Sequence, residues 1–185
     1  AMTARPSGSL YQKNKNKNSE IYFPEAELAI KRLEWLGLSV IGFGILNDIG
    51  KLVGKRADAL IKPSAVHAFA AFLTADKVSD ELFLPLITAF IEILDTKSGL
   101  PKILKDYFDS FKEGVNICIF EDSPIGIQAA KKLNYILNKH GVHSNVFAYG
   151  ISTNVHKIKA LKNENAWIFS DINRALSSSF HQLGF

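Results

Sequence analysis

The sequence predicts an α/β fold built on a mainly parallel sheet, and three observations predict it. The runs at 38–45 (LSVIGFGI) and 115–120 (VNICIF) are nearly continuous in apolar residues, as strands covered on both faces are. Helical patterns separate the strand-sized runs almost throughout. A helix from Pro24, a stop at Gly37 and the apolar run behind it make half of a βαβ unit.

The elements follow in order. Residues 1–20 form a polar N-terminal segment in which Lys13, Lys15 and Lys17 alternate with asparagine, a pattern that favours solvation. A single α/β domain is expected over 21–185. Pro24, Glu25 and Glu27 start a helix, with carboxylates where the dipole favours them, and Leu28, Ile30, Leu33, Trp35 and Leu36 give it an inner face. After the strand at 38–45, residues 49–53 start a short helix and 57–61 (ADALI) a short strand that ends at Lys62-Pro63. Ser64 caps a helix carrying Val66, Ala68, Phe69, Ala70, Phe72 and Leu73. Helices at 81–94, with Pro85 in its first turn, and at 100–111 follow. They make a helical insertion of about 76–112. Its apolar residues Leu82, Phe83, Leu86, Ile87, Phe90, Ile91 and Leu94 serve either core packing, which their helical spacing favours, or a homodimer surface. The strand at 115–120, a helix at 125–137, a strand at 145–149, a basic helix at 154–162, a strand at 167–169 and a helix at 171–177 complete the chain. The serines 177–179 read as a frayed end.

Composition excludes several classes. With 47% hydrophobic and 22% charged residues, the chain of 185 is not disordered as a whole. The single cysteine, Cys118, excludes an intrachain disulfide and a cysteine-based zinc cluster, and its place in VNICIF predicts a buried, inert thiol. No apolar run reaches the roughly 18 residues of a membrane span. A polar N-terminus without a signal peptide makes cytoplasm the expected location, with no membrane partner. A net charge of +4 is too mild to point to nucleic acid. His140, His143 and His156 lack zinc spacing, and His67, on an apolar helix face, reads as a packed histidine.

Glu121-Asp122 is the main chemical candidate. Both follow an apolar strand directly, and ligands of open α/β sheets collect beyond the carboxyl ends of strands. Adjacent acids there repel each other, so they call for a cation, and oxygen ligands suit Mg2+. The alternative is that Glu121-Asp122-Ser123 only caps the helix beginning near Ile125.

The whole string at 120–130, FEDSPIGIQAA, resembles the last metal-binding motif of the haloacid dehalogenase superfamily, particularly its phosphoglucomutase-like and phosphatase branches. Lys62-Pro63 looks like the lysine of that family that neutralises nucleophile and phosphoryl group. The resemblance covers roughly 21–176. It implies a three-layer, Rossmann-like sheet, Mg2+ held by Glu121 and Asp122, Lys62 in the catalytic machinery, Asn47 and Lys62 on the substrate, and a small phosphorylated molecule as ligand. The family's Asp-x-Asp nucleophile motif has no counterpart. At 5–10 (RPSGSL), Gly8, Ser9 and Leu10 fit its end, but Arg5 and Ser7 stand at the aspartate positions, and neither forms an aspartyl-phosphate. At the end of the strand at 38–45, Leu46 replaces the family's phosphate-binding hydroxyl, leaving Asn47 as donor and Asp48 as an acid out of register with the nucleophile's strand. The resemblance therefore implies a catalytically impaired relative kept as a binding or assembly module; the alternative is an active Mg2+-dependent phosphohydrolase of a small phosphate ester. Ala1 ahead of Met2 reads as a tag remnant, and only four residues precede Arg5, so a start upstream that encodes the missing strand is a third expectation.

Overall fold

Helical spacing of apolar residues governs the N-terminal half of the chain. The computed structural model describes residues 2–3, 7–8, 25–32, 39–96 and 99–183, and it comprises two compact units, 1–105 and 106–185. The first unit holds α1 (Glu25–Arg32), α2 (Phe43–Val53), α3 (Ala57–Leu60), α4 (Ala65–Ala75) and α5 (Asp80–Asp95). In α4, Ser64 Oγ accepts the Val66 N–H at 3.2 Å and so satisfies an end donor. Val66, Phe69, Ala70 and Leu73 then recur at the i, i+3, i+4, i+7 spacing that buries one face. In α5, Asp80 and Glu81 sit in the first turn, and Phe83, Leu86, Ile87, Phe90 and Ile91 are buried, while Leu82 and Leu94 are exposed. The Phe69 and Phe90 rings stack at 4.1 Å between centroids. Helix α2 packs on α3 and α5, and α4 on α5.

Helix α6 (Lys102–Asp109) leads into the second unit. There β1 (Val115–Glu121), α7 (Pro124–Lys139), β2 (Ser144–Ile151), α8 (Val155–Asn163), β3 (Trp167–Phe169) and α9 (Ile172–Leu183) alternate along the chain. The strands are all parallel, in the order β1-β2-β3, with Val115 opposite Ser144, Glu121 opposite Gly150 and Tyr149 opposite Trp167. Side chains alternate across this sheet. Ile119, Ala148 and Ile168 meet Ile127 of α7 and Leu161 of α8. On the other face the Phe120 and Tyr149 rings stack at 4.8 Å, and the Tyr149 hydroxyl donates to Gln182 Oε1 of α9 at 2.7 Å.

The α/β class holds, with several elements different from the expectation. Residues 39–45 are not a strand. Ile41 alone makes a parallel bridge, with Met2, and helix begins at Phe43. Leu46, Ile49 and Gly50 supply the helical spacing that the apolar composition masked. ADALI is one helical turn, α3, because Ala57 and Leu60, three apart, are its buried pair and alanine favours helix. Pro85 lies in the second turn of α5, since the helix already starts at Asp80. Helix α9 runs through the serines, and Ser179 is buried with its hydroxyl donating to the Leu176 carbonyl at 2.7 Å. Cys118 is half-buried, and burial still raises its thiol pKa, which keeps the reactive thiolate scarce. The expected helix at 24–37 is observed over Glu25–Arg32; its remaining residues, and Lys13, Lys15 and Lys17, lie outside the described residues.

The Phe69–Phe90 stack sets the first expectation. Phe69→Ala costs about 3–5 kcal/mol in urea unfolding, because a fully buried ring leaves a cavity. Leu82→Ala, at an exposed site of the neighbouring helix, changes stability by no more than about 0.5 kcal/mol. Similar losses in both variants contradict this assignment of the core.

Candidate functional site

In the first unit the polar groups gather on Ile41. Its carbonyl accepts the Thr3 N–H at 3.0 Å and the His67 Nε2–H at 2.9 Å. A carbonyl only accepts, so the proton of the neutral ring is on Nε2, and Nδ1 accepts the Lys62 N–H at 3.0 Å. His67 thus ties Lys62, whose bond to Pro63 is cis, to the segment that enters α2. Burial, opposed by the bond to Ile41, holds the imidazole pKa at about 4. His67 is a packed, neutral histidine already committed at both nitrogens.

Ser7 is fully buried at the start of α2. Its hydroxyl accepts the Gly44 N–H at 3.2 Å and donates to the Gly8 carbonyl at 3.3 Å. Gly44 is required there, since a Cβ would overlap the Ser7 and Gly8 carbonyls. Gly42, the N-cap, has no side chain to offer, so Ser7 performs the capping task from elsewhere in the chain. The hydroxyl has no general base as a partner in these bonds, so nothing in them activates it as a nucleophile. Arg5, Ser9 and Leu10 lie outside the described residues. Asn47 is not at a strand end. It lies in the second turn of α2, and its Nδ2 is buried without a hydrogen-bond partner. Asp48, beside it, is buried.

In the second unit Glu121 ends β1 and Asp122 begins the turn into α7. Ser123 performs the capping, its Oγ accepting the Ile125 N–H at 3.3 Å, and Pro124 takes the first helical position. The two acids part company. Glu121 is buried, and its carboxyl lies against Gly126, where a Cβ would overlap it. Asp122 is exposed and ion-paired, with Lys157 Nζ 2.6 Å from its Oδ2. Lys157 stands in the first turn of α8, where Asn154 Oδ1 accepts the His156 and Lys157 N–H groups at 3.0 and 3.1 Å. The expected pair of acids is therefore adjacent in the second unit, while Lys62 and Asn47 belong to the first.

Two carboxylates with water would satisfy the usual demand of Mg2+. Their arrangement here does not fit that ion. Glu121 is turned against the backbone of α7, and an ammonium already neutralises Asp122. A dication about 5 Å from that ammonium is repelled by on the order of 2 kcal/mol even at the dielectric of water. Sequence reasoning missed Lys157 and the cap from Ser7. The glycine five residues after Glu121 was readable; the other two contacts are long-range.

Two expectations follow from these contacts. Gly126→Ala costs about 1–3 kcal/mol, and much less in a Glu121→Ala background, where the overlapping carboxyl is gone. Additive losses in urea unfolding contradict the close approach. For His67, the unfolded ring takes its proton near 6.5 and the folded ring near 4. The unfolded chain therefore binds more protons between these values, and stability drops as pH falls from 6.5 to 4, by at most about 3 kcal/mol. Below 4 this contribution levels off. His67→Gln is less stable at pH 7 and lacks that part of the pH profile; an unchanged profile in the variant contradicts the assignment.

No protein-family model, curated protein or solved structure matches the chain significantly.

Proposed function

We propose that the chain is a haloacid dehalogenase-like protein that has lost its nucleophile and serves as a binding or assembly module for a small phosphorylated molecule. The turn from β1 into α7 carries this reading. An acidic pair ends a parallel strand, Ser123-Pro124 opens the next helix, and Gly126 admits the Glu121 carboxyl. That is the local geometry the resemblance of FEDSPIGIQAA implies. Support for the family's three-layer sheet comes from α7 and α8 packing on one face and α9 on the other. Support for catalytic silence comes from Ser7, a buried capping hydroxyl where the family has an aspartate. The family's Mg2+ supplies charge neutralisation for phosphoryl transfer when bound. Here Lys157 meets part of that charge at the acid pair. The resemblance assigns Lys62, which belongs to the first unit, to a phosphate.

The test uses the purified full chain with Mg2+ and a panel of phosphomonoesters. Phosphate release stays at the level of an Asp122→Ala control. At least one ester raises the melting temperature, and Lys62→Ala removes that shift. Turnover that depends on Asp122 restores the phosphohydrolase reading, and the absence of any ester-induced shift rejects phosphate-ester binding.

A further inference from the structure

We propose that Lys157 is the built-in counter-cation of the Glu121-Asp122 pair, taking the place of a divalent metal. The inference rests on the haloacid dehalogenase reading and goes beyond it. Three observations carry it. Lys157 Nζ is 2.6 Å from Asp122 Oδ2, close enough for a charge-assisted hydrogen bond. The lysine stands in the first turn of α8, the end of a helix where the dipole disfavours a cation. Its position there is accounted for by the acid opposite, not by its own helix. The root of its side chain is also fixed, because Asn154 Oδ1 accepts its backbone N–H.

The charges and the shape of the pair complete the argument. Asp122 brings a carboxylate to the strand end, and Lys157 sets an ammonium directly against it. Glu121 is packed on Gly126, so Asp122 is the acid left facing the solvent side. A metal arriving there meets an ammonium at the same oxygen. Metal binding at this strand end is therefore weak in the native chain and is gained when the ammonium is removed.

The test is a titration of the full chain with Mn2+, followed by the electron paramagnetic resonance signal of the free ion. The native chain shows no saturable binding that Asp122→Asn abolishes. Lys157→Met binds Mn2+ about tenfold or more tightly than the native chain. The gain disappears in Lys157→Met/Asp122→Asn. Lys157→Gln is read in the same way, so that a folding defect of one variant does not decide the matter. The inference is overturned if the native chain binds Mn2+ through Asp122 as tightly as the variants do, or if neither variant gains affinity. Asp122-dependent turnover by the native chain removes the silent-module reading, whereas tight Mn2+ binding without turnover removes only the role of Lys157.

Discussion

The second unit depends on the seven-residue parallel register between β1 and β2. Parallel neighbours cannot be joined by a tight hairpin, so the chain must return through a helix, and α7 is that return. Once Val115 faces Ser144, every later pairing is set, and Glu121 stands opposite Gly150. A slip of β2 by one residue turns Ala148 away from Ile127 and Leu161 and brings Tyr149 into its place, while Ile119 of β1 stays. The register thereby fixes where chemistry lies. It brings the carboxyl ends of both strands to one edge, and Asp122 and the first turn of α8 both follow directly from that edge.

The first unit has a different organising point, the Ile41 carbonyl with its two donors. An unpaired buried carbonyl is costly, and here the chain's start and His67 together satisfy it. The ring remains neutral because burial outweighs the hydrogen bond that favours its charged form. That neutrality leaves Nδ1 able to accept the Lys62 N–H; a protonated ring would present two donors and leave that amide opposed. The backbone at Lys62 is thus set by a histidine five residues on, and α2 is started by a serine from 37 residues away.

Legibility in the sequence followed the range of the deciding interaction. VNICIF and the turn EDSP were readable because strand composition, Ser123 and Pro124 all act locally. Helices α4 and α5 were readable from Ser64 and from apolar spacing alone. The run at 38–45 was not, since its apolar residues suit a buried strand and a buried helix equally. What decides between them is the bridge at Met2 and the cap from Ser7, both distant in the chain. ADALI is ambiguous for a related reason: a five-residue run with four apolar residues also places Ala57 and Leu60 on one side of a single helical turn. Among site residues, Glu121 and Asp122 could be located from the strand end, but not their separation into a buried acid and an ion-paired one. That separation is made by Gly126 and by Lys157, the latter 35 residues away.

The separation also explains how two adjacent acids are tolerated. At a common strand end their repulsion has to be relieved, and each is relieved differently. The buried carboxyl lies at the N-terminal turn of α7, where the dipole favours negative charge by about 0.3–1 kcal/mol. The exposed carboxyl takes Lys157, and an exposed pair of this kind contributes no more than about 1 kcal/mol. Set against it is the cost of a cation in the first turn of α8, of similar size and opposite sign. Lys157 is therefore close to neutral for stability, and stability alone does not account for its position. What it does change is the charge that Asp122 presents to a ligand, which is the term on which metal binding at this strand end turns.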